Sequence, residues 1–452
     1  MGVRDNCGRM TRRTFLRRSA AGALGILGGA LASAGAPNRP GQPNIVFILA
    51  DDMGWADVGY HRSVIQTPHL DRLAAGGVRF DQHYVMPTCT PTRVGFMTGH
   101  YPSRYGVVSP AYGEIFDDDT LTLPAALRQK GYTTHISGKW HMGSPPEWTP
   151  RKYGFDSSYG YFHGQIDPYT HDYKTGVDSW HRDDAYLEEK GHATDLITDE
   201  AVRVIESRRE RPFFLYVAYS VPHYPLDEPQ RWTSIYEDKI AEPSRRWLAA
   251  SITHMDHGIG QIVAALDRAK LRDNTLIVFV SDNGGQKSWS SNTQYRGRYA
   301  DKPHTVLGDN KPLRGWKGDV YEGGIRVPAL ANWPGVLKPG QCDAPIHIVD
   351  WMPTLCTLTG ARPGRDVKWD GQDIWPWVRG AGGRARNLYW KAPRFSAVRS
   401  GDWKLVLKND GSGAELYNLA SDPYETTDLA AQQSKRLAKL ERLWTEFAAD
   451  DR

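Results

Sequence analysis

The sequence predicts an α/β protein with a large, mixed but mostly parallel β-sheet flanked by helices, followed by a small C-terminal domain of antiparallel sheet plus helix. Three observations predict it. The runs 44–50, 213–219 and 275–280 are almost continuously apolar, as strands buried on both faces must be. Segments with helical spacing separate them, and beyond Gly380-Ala381-Gly382-Gly383 the pattern changes to short β-like runs divided by turns. A chain of 452 residues with 40% hydrophobic content can bury a substantial core in one large domain and one smaller one.

Arg4, Arg9, Arg12, Arg13, Arg17 and Arg18, offset only by Asp5, precede the apolar stretch from Ala20 to Leu31. The twin arginines, a weakly apolar Ala/Gly-rich core and the small residues Ala32-Ser33-Ala34 read as a twin-arginine export signal over residues 1–36. That stretch is shorter than the ~20 residues that a bilayer span needs, and no later run is long enough. The expectation is therefore a soluble mature chain without a membrane span, periplasmic or secreted from a bacterial cell, with the twin-arginine translocase as a partner. Without the signal the formal charge falls from +4 to about −1, which excludes a broad polyanion-binding face and with it nucleic acid.

After the strand 44–50 comes Asp51-Asp52, and Thr67-Pro68 opens a helix over 67–75 that stops at Gly76-Gly77. In Cys89-Thr90-Pro91-Thr92-Arg93, Pro91 suits the first turn of a helix. Cys89 is then expected just before the helix N-terminus, facing its dipole and Arg93, where a thiolate or an anionic adduct is favoured. A nucleophile, a metal thiolate and a buried small residue all fit that position.

Leu121 to Lys130 reads as a helix, and Tyr132 to Ser137 as a strand delivering Gly138-Lys139-Trp140-His141. Residues 143–191, rich in Gly, Pro, Tyr, His and Asp, show no clean period and are expected as long loops. His192 to Ser207 is helical, the strand 213–219 ends in Val221-Pro222-His223, and a long helix runs through Trp247, Ile252, Met255, Ile259, Ile262 and Leu266. The strand 275–280 leads to Ser281-Asp282-Asn283-Gly284-Gly285. The C-terminal strands are expected near 388–391, 395–399, 403–407 and 415–417, and a last helix carries Leu437, Leu440, Leu443, Trp444 and Phe447 on one face.

Four strands thus finish in titratable residues. Ligands of open α/β sheets bind beyond the carboxyl ends of the strands, so these ends should converge on one site. Asp51, Asp52, Asp282 and Asn283 offer hard oxygen ligands, which favours Ca²⁺ or Mg²⁺ over zinc. Lys139, His141, His223 and Lys317 supply cations and proton-transfer groups. Of the cysteines, Cys7 leaves with the signal. Cys342 and Cys356 could pair after export, while the apolar pattern around Cys356 favours a reduced core thiol.

Cys-x-Pro-x-Arg followed by small and apolar residues to Thr98-Gly99 resembles the maturation motif of the sulfatase family, in which the cysteine is oxidised enzymatically to formylglycine (3-oxoalanine). The resemblance runs from Asn44 to about Leu330 and resumes at Glu415-Leu416-Tyr417-Asn418-Leu419 and Ser421-Asp422-Pro423-Tyr424-Glu425. It implies an alkaline-phosphatase-like catalytic domain over 37–383, a C-terminal subdomain over 384–452, and a formylglycine-generating enzyme as a partner. Asp51, Asp52, Asp282, Asn283 and the Cys89 position would hold one Ca²⁺. Arg93 and Lys139 would steady the modified Cys89, His141 would be its proton partner, and His223 and Lys317 would contact the sulfate, one of them as general acid. A covalent enzyme-sulfate is implied between attack on sulfur and release.

The arylsulfatase B-like members, which are N-acetylgalactosamine-4-sulfatases, are most similar, through Cys89 to Arg93, Thr133-Thr134-His135 and Pro312-Leu313-Arg314-Gly315. Tyr169-Thr170-His171 falls where they have a Ser-His pair, making Thr170 and His171 substrate-binding candidates. The implied substrate is a sulfated carbohydrate, on which Trp148, Trp180 and Tyr161 could stack. Two other readings remain: a phosphonate or phosphodiester hydrolase of the same superfamily, and a glycan-binding protein without catalysis.

Overall fold

The computed structural model describes residues 42–144, 147–207, 210–289, 295, 299, 307–361 and 367–452, so the segment expected as an export signal, with Cys7, lies outside the described residues. The strands in chain order are β1 Asn44–Ala50, β2 Val78–Phe80, β3 His83–Tyr84, β4 Thr133–Lys139, β5 Ser157–Tyr161, β6 Trp180–Arg182, β7 Ala185–Tyr186, β8 Phe213–Ala218 and β9 Thr275–Ser281. They continue with β10 Ala329–Asn332, β11 Gly340–Cys342, β12 Ile346–His347, β13 Asn387–Lys391, β14 Phe395–Ser400, β15 Trp403–Lys408 and β16 Ala414–Asn418.

Ten of these form one mixed sheet in the order β11-β2-β10-β9-β1-β8-β4-β5-β6-β7. Its centre, β9-β1-β8-β4-β5, is parallel throughout. Side chains alternate between the faces of a strand, and both faces here are apolar. Ile45, Phe47 and Leu49 join Phe214, Tyr216 and Val278 in one core, closed by the helices Cys89–Thr98, Leu123–Arg128 and Trp351–Thr359. Val46, Ile48 and Ala50 join Leu215, Val217 and Phe279 in the other, closed by Pro68–Ala75, Ala193–Glu206 and Pro243–Arg268. Each large apolar side chain so buried contributes about 2 kcal/mol.

The apolar runs and the long helices fall where they are expected, but residues 143–191 do not remain loops. They add β5 parallel to β4, then β6 and β7 antiparallel, at the sheet edge. The strand β5 escapes a sequence reading because its backbone runs close against β4. A Cβ at Gly160, which has φ +130°, would lie 2.2 Å from the Gly138 carbonyl oxygen. Nor do Tyr161 and Trp180 offer faces to a sugar: both are buried with their rings stacked. Trp148 packs against the core, and its carbonyl accepts the Trp140 indole N–H at 2.9 Å. The helix expected from Leu121 is shorter, Leu123–Arg128, because Thr122 is extended.

The strands β13 to β16 form an antiparallel sheet in sequence order. The helix Ser434–Ala448 packs Leu437, Leu440, Leu443, Trp444 and Phe447 against Val398, Leu405 and Leu416. Cys342 and Cys356 are buried free thiols. Among the described residues no helix is long and apolar enough to cross a membrane.

Candidate active site

Because β9, β1, β8 and β4 are adjacent and parallel, their carboxyl ends line one edge of the sheet. Asp51-Asp52 leave β1, His141 follows β4, His223 follows β8, and Asp282-Asn283 follow β9. Asp52 and His141 adopt φ +73° and +54°. These are left-handed conformations that non-glycine residues hold only where the surroundings impose them. Cys89 is the first residue of the helix Cys89–Thr98, not the residue before it. Thr88 is the cap, Pro91 lies in the first turn, and all ten helical residues are buried.

Around Cys89 the polar contacts are short. Its Sγ lies 3.2 Å from His141 Nδ1. Arg93 donates through Nη2 to Asp282 Oδ2 at 2.8 Å, and through Nη1 to the Lys139 carbonyl at 3.0 Å and the Tyr216 hydroxyl at 3.2 Å. Lys139 Nζ donates to Asp51 Oδ2 at 2.5 Å. Lys317 reaches both oxygens of Asp52, at 2.7 and 2.8 Å, and Asn283 Nδ2 donates to Asp52 Oδ1 at 2.7 Å. His223 Nδ1 donates to the Tyr224 carbonyl at 2.6 Å, which leaves Nε2 unprotonated in the neutral ring, 3.8 Å from Asp52 Oδ2.

Burial pushes the Cys89 thiol up, against the pull of Lys139 and Lys317. The expected thiolate-favouring environment is therefore overturned: desolvation, helped by Asp51 and Asp282, outweighs the cations. Burial and the cationic Lys139 and Arg93 hold His141 well below the usual imidazole range, so it is a neutral base. Burial and then Lys317 bring His223 down to about 3. Burial opposes ionisation of Asp52, yet Lys317 and His223 together bring it to about 2. Burial opposes the charge on Lys317, but the surrounding anionic groups, Asp52 foremost and then Cys89 and Asp51, together push it up.

The residues fit a hard divalent cation. Burial and the neighbouring Asp51 push Asp282 up to about 7, the mark of negative charge that the side chains leave uncompensated. Among the described residues, the buried oxygens Asp51 Oδ1 and Asn283 Oδ1 have no hydrogen-bond partner. Asp51, Cys89 and Asp282 bring ligand atoms within 4.8 Å of one another, as do Asp51, Asp52 and His223. A carboxylate-rich set of this kind suits an alkaline-earth ion.

All the residues expected in the site meet here except Thr170 and His171. Thr170 is exposed, and His171 stacks on Trp180 with its Nε2 3.1 Å from the Gly191 carbonyl. Both line a separate cavity with Glu188 and Glu189. Two neighbours of the site were not foreseen. Tyr216 sits in an apolar strand, where a tyrosine reads as core. Tyr112, with its ring 5.2 Å from that of His141, lies in a segment without periodicity.

The sequence profile of the family described as Sulfatase matches residues 43–361. Arylsulfatase J of Mus musculus is 33% identical, over 90% of this chain and 76% of the relative. N-acetylgalactosamine-6-sulfatase of Mus musculus is 32% identical, over 85% of this chain and 74% of the relative. Among solved structures, Ps i-CgsB in complex with k-i-k-neocarrahexaose superposes with a TM-score of 0.82 at 30% identity, covering 91% of this chain and 94% of that one.

Proposed function

Because the chain belongs to the sulfatase family and is a sulfuric ester hydrolase, we propose that it cleaves sulfate esters of a glycan at Cys89, converted to formylglycine. The contact between Cys89 Sγ and the neutral His141, beside a buried carboxylate cluster with unpartnered oxygens, carries this reading. Formylglycine, hydrated by one water to its gem-diol, would supply a hydroxyl nucleophile at a position where a serine or a buried thiol is weak. A Ca²⁺ held by Asp51, Asp52, Asp282 and Asn283 would draw charge from the sulfate oxygens.

The chain's own residues supply the rest. Arg93 and Lys139, fixed on Asp282 and Asp51, hold positive charge behind the nucleophile. His141 takes the proton of the residue 89 hydroxyl. Lys317 is kept charged by Asp52 and so stabilises the sulfuryl oxygens, not the leaving group. His223, neutral without substrate, would serve as general acid once a bound ester supplies the charge that lets it hold a second proton. Its Nδ1–H is fixed on Tyr224, and an anionic ester near Nε2 favours the proton that this nitrogen would pass to the leaving oxygen.

The names of the relatives, an N-acetylgalactosamine-6-sulfatase and a protein bound to a neocarrahexaose, support a sulfated glycan as substrate. The N-terminal pattern supports twin-arginine export, with a formylglycine-generating enzyme acting beforehand. Peptide mass spectrometry across Cys89 and turnover of matched aryl sulfate and aryl phosphate esters test the proposal. An aldehyde mass with faster sulfate cleavage supports it. Faster phosphate cleavage assigns a phosphoester hydrolase, and an intact thiol with no turnover assigns a binding protein.

A further inference from the structure

Lys317 does not stand on a strand end. Its loop is tied to the end of β9 by Lys317 N–H donating to Gly285 O at 3.2 Å, and to the segment before Cys89 by Gly318 N–H donating to Pro87 O at 2.8 Å. Its other ties run to the C-terminal sheet. Arg314 Nη1 donates to the Tyr417 hydroxyl at 2.6 Å and to Glu425 O at 3.1 Å, and Tyr321 OH donates to Glu415 Oε2 at 2.8 Å.

The loop ends in the short helix Glu322–Ile325, and the first N–H of that helix donates to Glu425 Oε2 at 2.7 Å. Glu425 Oε1 lies 2.7 Å from Lys404 Nζ, which also donates to Glu322 Oε1 at 2.9 Å. Glu425 is 1% exposed and holds φ +57°. A non-glycine residue keeps that conformation only where its contacts over-determine it. Two of the Glu425 contacts, from Arg314 and Glu322, come from the loop of Lys317, and the others are Lys404 of β15 and the Asp422 carbonyl. Gly323 N–H closes the loop onto Arg314 O at 2.6 Å, so a shift at Glu322 is transmitted to both ends of the segment 314–323.

We infer that Glu425, carried on the segment that leaves the C-terminal sheet, is a positioning residue for Lys317: through the Glu322 N–H and Lys404 it fixes the loop that keeps the Lys317 ammonium on Asp52. The inference rests on the proposed role of Lys317 at the sulfate. A glutamine at 425 would present an amide NH₂ where both neighbours, Glu322 N–H and Lys404, are donors. One of the two ties is therefore lost with little change of volume.

The test is a double-mutant cycle on the full, calcium-loaded enzyme with 4-nitrophenyl sulfate, using Glu425→Gln, Lys317→Ala and the pair. Glu425→Gln should lower kcat/KM by roughly 10- to 100-fold, and the pair should be within about 2-fold of Lys317→Ala alone. Losses that multiply overturn the inference. Hydrogen exchange supplies a readout independent of turnover: peptides over 313–321 should exchange roughly tenfold faster in Glu425→Gln, with β9 unchanged. Unaltered exchange there overturns the inference even if activity falls. Should Lys317→Ala keep wild-type turnover, the role of Lys317 fails, and exchange alone decides whether Glu425 orders the loop. If Glu425→Gln does not fold, Tyr417→Phe, which removes the hydroxyl that accepts from Arg314 and donates to Glu415, takes its place in both measurements.

Discussion

Arg93 Nη2 lies 2.8 Å from Asp282 Oδ2, and both side chains are fully buried. Removing one partner of such a pair leaves a buried charge without its hydrogen-bonded counter-ion. Arg93→Ala should therefore destabilise the fold by about 3–5 kcal/mol, as well as abolish turnover. Urea unfolding measures it, and an unchanged midpoint would sink the account of this pair.

The orphaned Asp51 and Asn283 oxygens predict that a divalent cation binds the native state and not the unfolded one. Calcium at a hundred times its Kd should then add about 2.7 kcal/mol of stability. Chelator treatment should lower the unfolding temperature, readdition of Ca²⁺ should restore it, and Asn283→Ala should show a much smaller shift. The reading fails if calcium shifts both proteins equally.

Outside the Cys89 cluster, His254 donates through Nε2 to Asp195 Oδ1 at 2.8 Å and through Nδ1 to Glu228 Oε2 at 2.7 Å. Burial opposes its charge, but the two carboxylates raise it to about 9. A folded-state value above the unfolded one of about 6.5 gives stability that is full below pH 6.5 and lost as pH rises through 9. The part-exposed Asp195 tempers the gain to about 2–3 kcal/mol. Wild type should thus lose more stability than His254→Gln between pH 6 and 9.5, whereas parallel curves would refute the assignment.

Gly160→Ala should cost about 2–4 kcal/mol, because the new Cβ meets the Gly138 carbonyl and φ is +130°. Since β4 leads directly to Lys139 and His141, activity should fall with stability. A variant as stable and active as wild type would show that the two backbones can separate freely.

How much of this was legible in the sequence depended on period. The strands β1, β8 and β9 are buried on both faces, so unbroken apolar runs announced them, and the polar residues at their ends announced the site. The strand β5 has no such run, because glycine and tyrosine serve a close backbone approach there. Thr170 and His171 were placed by analogy inside an aperiodic segment, where a small change in loop path carries a side chain into a different cavity. The thiol of Cys89 was misjudged for another reason: a helix dipole and an arginine are visible in sequence, but desolvation is a property of the whole fold.

Cys89 is 2% exposed, and the helix it opens is walled by Ile348, Val349 and the helix Trp351–Thr359. Those residues are synthesised about 250 positions later, a delay of roughly 10–50 s at 5–20 residues per second. On the proposed function, an enzyme that oxidises Cys89 would therefore work against a clock set by translation. Slowing the ribosome beyond residue 98 should raise the modified fraction, while faster folding of the finished chain should lower it.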